Sequence, residues 1–278
     1  MTKYPLYDKA KILVRKEYED AFEIVKESFY HRSFANWKIK HTFQVSGAGN
    51  GILAHEPYFQ NRSDEFIDIC RTAILLHDVY RFREVTGWFQ DDTKIDHSLM
   101  GAKLLSQTKD FNDILITLPI KHHGHMIEKL YEDEAYQTLN DDLKDKAKHI
   151  SFAVRDADKI ANWYSVNNEW EKAKEVWFQF PSDFSLAQAE INDELWSYFL
   201  RKQISPNYLC KTNADAAIST ICWLFDMNYR YSLLYCKKFD LFERFCTVLK
   251  KLRVDETKIE TVRKTMKNYV SEKFQIEI

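Results

Sequence analysis

The chain has 278 residues, of which 45% are apolar and 15% aromatic, and its formal net charge is −2. This length and composition are sufficient for a substantial core, and the near-neutral charge argues against a broad basic surface for nucleic acid. With only 6 glycines and 5 prolines, the chain is poor in the residues that build the tight turns of all-β proteins. An all-α fold is therefore predicted.

Apolar residues recur every three or four positions along much of the chain, as in amphipathic helices. The first such stripe is formed by Val14, Tyr18, Phe22, Val25 and Phe29. Residues 216–236 are apolar on nearly every side and predict one buried central helix. Similar stripes occupy residues 191–199, 242–252 and 259–269, and breaks are expected near Pro57, residues 86–96 and 119–124, Pro181 and Pro206.

Residues 40–56, KHTFQVSGAGNGILAHE, contain Gly47, Gly49 and Gly51, half of the glycines in the chain. A dinucleotide-binding fingerprint requires a strand, a GxGxxG turn and a helix in that order. Here the spacing is GxGxG, and no apolar strand precedes it. We therefore predict a helix whose small residues allow another helix to approach closely.

The sequence carries no signal of secretion or membrane insertion. The first residues are charged, so no signal peptide is expected, and no run approaches the roughly 18 to 20 apolar residues of a membrane helix. The 5 cysteines form no CxxC pair. Reduced, buried thiols in a cytoplasmic protein are the expectation.

Histidines and aspartates at the ends of apolar helical segments are the candidates for chemistry. Each alone fits a surface or capping residue. Together they are harder to explain, because a carboxylate beside an imidazole is costly to bury without a compensating positive charge. Imidazoles and carboxylates that converge from several helices are typical ligands of a divalent transition metal. The candidates are His41, His77, Asp78, His97, His122, His123, Asp156 and Asp158.

The order of these residues resembles the H…HD…H…H…D set of the HD superfamily of metal-dependent phosphohydrolases. The matching pieces are HTFQV, HDVYRF, DHSLMGA, KHHG and RDADK, and they are most similar to a bacterial branch of that superfamily. The resemblance implies an HD-domain helical bundle with an N-terminal helix over residues 1–165. Residues 166–278 would form a helical extension packed on it in one globular unit.

The resemblance also implies a ligand set. One metal would be held by His41, His77, Asp78 and Asp158. Asp78 would bridge to a second metal, completed by His97 and His122. The motif favours His122 over His123 and Asp158 over Asp156, and both choices stay open.

Catalytic and substrate-binding roles are predicted for residues at or beside these ligands in the sequence. The catalytic set is Asp78, His122, Asp156 and Lys159, with Asp156 orienting a ligand or a water. The candidates for substrate binding are Arg81, Arg83, His123 and His125. Cations here can neutralise phosphate charge, although an ordinary solvated face explains them equally well.

The expected function is hydrolysis of a phosphate ester, in a nucleotide or another small phosphorylated metabolite, by water that one or two divalent ions activate. The ligand types do not distinguish Mn, Fe, Zn, Ni, Co and Mg. Two alternatives stay open, namely a di-iron oxygenase with the same ligand order and a non-catalytic metal-bound sensing or interaction module. Neither a membrane nor an extended nucleic-acid partner is expected, and the sequence leaves room for a homo-oligomer.

Overall fold

The computed structural model describes residues 2–91, 96–124, 126–168 and 190–278. These residues form helices joined by turns and loops, with no strand among them, which confirms the predicted all-α class. None of these helices is both long and apolar enough to cross a lipid bilayer. The chain divides into two compact units, Met1–Ala161 and Asn162–Ile278. The domain boundary expected at residue 165 stays a prediction.

Among the described residues, the first unit is built mainly from seven longer helices, with shorter helical turns between them. Two short helices, α8 (Glu128–Tyr131) and α9 (Glu134–Gln137), precede the long α10 (Asp141–Asn168), whose greater part belongs to this unit. The preceding helices are α1 (Pro5–Val25), α2 (Phe29–His55), α3 (Pro57–Gln60), α4 (Asp64–Leu76), α5 (Arg81–Asp91), α6 (His97–Ser106) and α7 (Ile114–His122).

The glycine-containing stretch lies within α2, as predicted. A Cβ atom on Gly49 would come within 2.6 Å of Ile74 Cγ2 on α4 and 3.4 Å of Ala157 Cβ on α10. The absence of a side chain at Gly49 therefore allows α4 and α10 to approach α2 closely. Gly47 has nothing within 4 Å of such an atom, so only one of these two glycines is required by packing.

Acidic side chains fix several helix starts in the first unit. Asp68 of α4 accepts hydrogen bonds from the backbone N–H groups of Leu6 (2.9 Å) and Tyr7 (2.8 Å) at the start of α1. Asp96 and Asp113 cap their own helices, since Asp96 accepts from the backbone N–H groups of Ser98 and Leu99 in α6 and Asp113 accepts from that of Leu115 in α7. These bonds satisfy donors that a helix start leaves unpaired.

In the described part of the second unit, five α-helices follow α10. Trp163 lies fully buried in its core, donates from Nε1 to the carbonyl oxygen of Thr220 at 2.9 Å and packs edge-on against Phe245. The helices are α11 (Asp193–Leu200), α12 (Asn213–Cys222), α13 (Arg230–Lys238), α14 (Leu241–Lys251) and α15 (Glu256–Phe274).

Two predictions about helix extent were wrong. The segment 216–236 is not one helix, because α12 ends at Cys222 and a 3-10 turn and extended backbone precede α13. The turn at Asp226 is closed by Asn228 Nδ2, which donates to the Asp226 carbonyl; such residues favour turns. The first stripe also ends at Val25, and Phe29 begins α2 with 73% of its surface exposed.

Candidate metal centre

Three helices bring a first group of ligand atoms together. His41 comes from the middle of α2, His77 and Asp78 directly follow α4, and Asp158 comes from α10. His41 Nε2 lies 3.0 Å from Asp158 Oδ1, and His77 Nε2 lies 3.2 Å from Asp78 Oδ2. One ligand atom from each of the four residues lies within 4.8 Å of the others. This first group (His41, His77, Asp78, Asp158) is the set that the motif order implied.

A second group shares Asp78 and uses its other oxygen. Asp78 Oδ1 lies 3.4 Å from His97 Nε2 at the start of α6 and 3.3 Å from His123 Nε2 at the end of α7. The ligand atoms of the second group (Asp78, His97, His123) also lie within 4.8 Å of one another. Asp78 therefore presents one carboxylate oxygen to each group, which is the arrangement that a bridging ligand requires.

The structure places His123, and not His122, in the second group, which reverses the preference taken from the motif. His122 Nε2 lies 2.7 Å from Asp133 Oδ2, which also accepts a hydrogen bond from Lys121 Nζ. Burial raises the pKa of Asp133, but these two hydrogen bonds outweigh it and lower the pKa. Neighbouring side chains on a helix point about 100° apart, so only one histidine of the pair can face Asp78.

A hydrogen bond from Nδ1 to the backbone carbonyl three residues earlier orients two of the histidines. His77 Nδ1 is 2.9 Å from the carbonyl oxygen of Ile74, and His123 Nδ1 is 2.7 Å from that of Ile120. Because a carbonyl only accepts, Nδ1 carries a proton in both rings, and Nε2 is the atom that offers a lone pair when the ring is neutral. The backbone thus selects the tautomer that directs Nε2 towards the ligand groups, as in many metal sites.

Lys38 is the site residue that the sequence analysis missed. It lies one helical turn before His41 on α2, its side chain is 6% exposed, and Nζ donates a hydrogen bond to Asp78 Oδ2. The preceding residue, Trp37, stacks on the His41 ring at 5.1 Å. The available signal was the three-residue spacing from Lys38 to His41, which puts both on one helix face.

Burial and nearby charges set the protonation of the site. Burial lowers the pKa of His41 to about 4 and that of His97 to about 2, so both imidazoles are neutral at neutral pH. Burial also lowers the pKa of His77, but the Asp78 carboxylate outweighs it and raises the value. Although burial disfavours the charged form of Asp78, Lys38 and His77 hold its pKa well below the usual range.

The chemistry of these donors fits a divalent metal. Neutral imidazoles and ionised carboxylates are the protonation states that bind such an ion. His77 Nε2 and Asp78 Oδ1 are both buried, and neither makes a well-formed hydrogen bond to another described residue. Buried polar atoms normally have partners, so these two atoms point to a group that the site is built to hold.

The remaining predicted residues lie at different places. Arg81 is at the site, with Nε 3.7 Å from Asp78 Oδ1 and Nη1 2.6 Å from Glu84 Oε2. Arg83 instead makes two 2.6 Å hydrogen bonds with Glu17, which favours a structural link between α5 and α1 over the predicted role in substrate binding.

Three predicted site residues remain, namely Asp156 and Lys159 of α10 and His125 between α7 and α8. Asp156 is fully buried and belongs to neither ligand group, and Lys159, beside Asp158, is 9% exposed. His125 lies outside the described residues.

Comparison with known protein families agrees with this geometry. The family model of the HD domain matches residues 38–163, a segment that contains Lys38 and every residue of both ligand groups. The chain contains an HD domain. HD domains bind divalent metals and are mostly metal-dependent phosphohydrolases. Searches of curated proteins and of solved structures gave no significant match.

Proposed function

We propose that this HD-domain protein hydrolyses phosphate esters of a nucleotide or another small phosphorylated metabolite. The observation that supports this most is Asp78, whose two oxygens face two separate groups of neutral or tautomerically fixed histidines. In this proposal the first group holds one divalent ion and the second group holds another. When bound, such ions lower the pKa of water enough to supply hydroxide near neutral pH.

The protein's own residues would arrange the substrate around this centre. Asp158 and His97, with 23% and 17% of their side chains exposed, form the solvent-accessible edge of the two groups. A phosphate that enters at this edge meets Arg81, whose side chain is 25% exposed. Its planar guanidinium suits phosphate oxygens, so we assign it to substrate binding, and Lys159 to the same role at the Asp158 side.

The proposal is tested by metal analysis followed by activity assays. Protein purified without chelator is analysed for its metal content, and phosphate release is then measured on phosphomonoesters and phosphodiesters with Mn²⁺ restored. We expect two ions per chain and turnover of at least one substrate, which Asp78→Asn removes. Asp110→Asn is the matched control, because Asp110 is exposed and pairs only with Lys9 among the described residues.

The same assays discriminate the alternatives. Iron retention with oxygen consumption and no phosphate release would replace hydrolysis by oxygenase chemistry. Metal-dependent folding without turnover across the whole panel would favour a sensing or interaction module.

A further inference from the structure

Arg155 is a buried cation that contacts the end of α7 from α10. Only 4% of Arg155 is exposed. Its Nη1 donates to the backbone carbonyl oxygens of His123 at 3.1 Å and His122 at 3.3 Å. The last carbonyls of a helix lack donors within the helix and carry its negative dipole end. A guanidinium placed there therefore fixes this end of α7.

The backbone that Arg155 holds is that of a ligand residue. His123 is directed at Asp78 by its own hydrogen bond to the Ile120 carbonyl. That bond orients the ring relative to the last turn of α7, but it does not fix where the turn lies relative to Asp78. The bonds from Arg155 to the carbonyls of residues 122 and 123 supply this second constraint.

The position of Arg155 on α10 links the two ligand groups. Asp158, three residues later, lies on the same face of the helix and belongs to the first group. One face of α10 thus supplies a ligand to the first group and holds the backbone of a ligand in the second. Both contacts run through one rigid helix, so the helix sets the distance between Asp158 and His123.

We propose that Arg155 is a positioning residue that holds His123 in place for the second metal. This inference rests on the two-metal site proposed above. It also accounts for arginine at this buried position. A guanidinium carries several donors in a fixed plane and can serve two carbonyls at once, whereas a lysine ammonium lacks this fixed geometry.

The test measures binding of Mn²⁺ alone, by calorimetric titration of the metal-free 278-residue chain and by electron paramagnetic resonance of the two coupled Mn²⁺ ions. In Arg155→Met we expect the second ion to bind about 10–100-fold more weakly, the usual cost of losing a group that orients a ligand. The first ion should bind within about threefold of wild type. Val14→Ala, a buried change on α1, controls for loss of stability without loss of this contact.

Arg155→Lys keeps the buried charge and replaces the methionine variant in the test if that variant does not fold. It should weaken binding of the second ion by at least about threefold. The double variant Arg155→Met with His123→Ala should lose no more second-site affinity than His123→Ala alone. Wild-type affinity for the second ion in a folded Arg155 variant, or an equal loss in Val14→Ala, would overturn the inference. A wild-type chain that binds fewer than two ions would refute the two-metal proposal itself and the inference with it.

Discussion

The two ligand groups share Asp78 but are built differently. In the first group His41 and Asp158 come from the interiors of the long helices α2 and α10, and His41 and His77 are fully buried. The second group adds only residues at helix ends, because His97 begins α6 and His123 follows α7. The position of a residue within a long helix follows from packing of its whole length, whereas the position of a helix-end residue depends on where that helix stops.

This difference between helix interiors and helix ends explains why the ligands implied by the motif order agree with the structure in the first group but not throughout the second. All four residues of the first group were assigned to one metal from the sequence, and the structure brings them together. In the second group the motif favoured His122, whereas the structure places His123 beside Asp78 and His122 beside Asp133. Helix ends therefore need additional anchors, of which the contact from Arg155 is one.

The largest effect is expected from replacing Asp78, the residue that the two groups share. Asp78→Ala should abolish retention of both ions and reduce hydrolysis to background, because each group loses one carboxylate oxygen. Helical content by circular dichroism should remain close to wild type. Metal content at the wild-type level in this variant would contradict the shared carboxylate.

Substitution of Lys38 tests how the charge of Asp78 is compensated when no metal is bound. Lys38→Met leaves the buried Asp78 carboxylate without its cation, and loss of one partner of a buried pair costs about 3–5 kcal/mol. A divalent ion should recover most of this loss, because it compensates the same carboxylate. We therefore expect Mn²⁺ to raise the melting temperature more in Lys38→Met than in wild type. An equal shift in both proteins would mean that Lys38 and the metal do not act on the same charge.

The second group is tested by a matched pair of neighbouring residues. His123→Ala should weaken binding of the second Mn²⁺ by at least about 100-fold, because it removes a ligand rather than a group that orients one. His122→Ala should leave the second ion within about threefold of wild type, since His122 faces Asp133. Calorimetric titration measures both, and the reverse order would restore the assignment made from the motif.

The close contact of α2 with α4 and α10 is tested by two glycines. Gly49→Ala places a methyl group against Ile74 and should destabilise the protein by about 1–3 kcal/mol, as overpacking does. Gly47→Ala should instead stabilise it by up to about 1 kcal/mol, since alanine is the better helix former and the position is open. Urea denaturation measures both, and equal effects would exclude close packing at Gly49.

The most gradual expected effect is a pH dependence of the metal-free protein. Burial lowers the pKa of His41 from 6.5 to about 4, so between these values the unfolded chain binds a proton that the native state does not. Stability should therefore fall as the pH decreases from 6.5 to 4, by up to about 1.4 kcal/mol per pH unit from this residue. His41→Gln should show a shallower slope in urea denaturation over this range, and an unchanged slope would indicate that His41 is not buried in its neutral form.

The sequence by itself determined the helical class and the location of the glycine stretch within a helix. Both follow from information carried by the local chain, namely few turn residues and a 3.6-residue apolar period. The four residues that the structure brings together in the first group were implied by the resemblance to the HD superfamily. The same local information failed for residues 216–236, where a uniformly apolar segment concealed the turn at Asp226.

Only the tertiary structure shows that His123 rather than His122 lies beside Asp78, that Lys38 donates to Asp78 and that Arg83 pairs with Glu17. In each case the deciding partner lies on another helix or beyond the end of the same one. The direction of a side chain across such distances depends on how helices rotate and where they end. These are properties of the packed core, because close packing of many residues fixes them together, and no short stretch of sequence contains them.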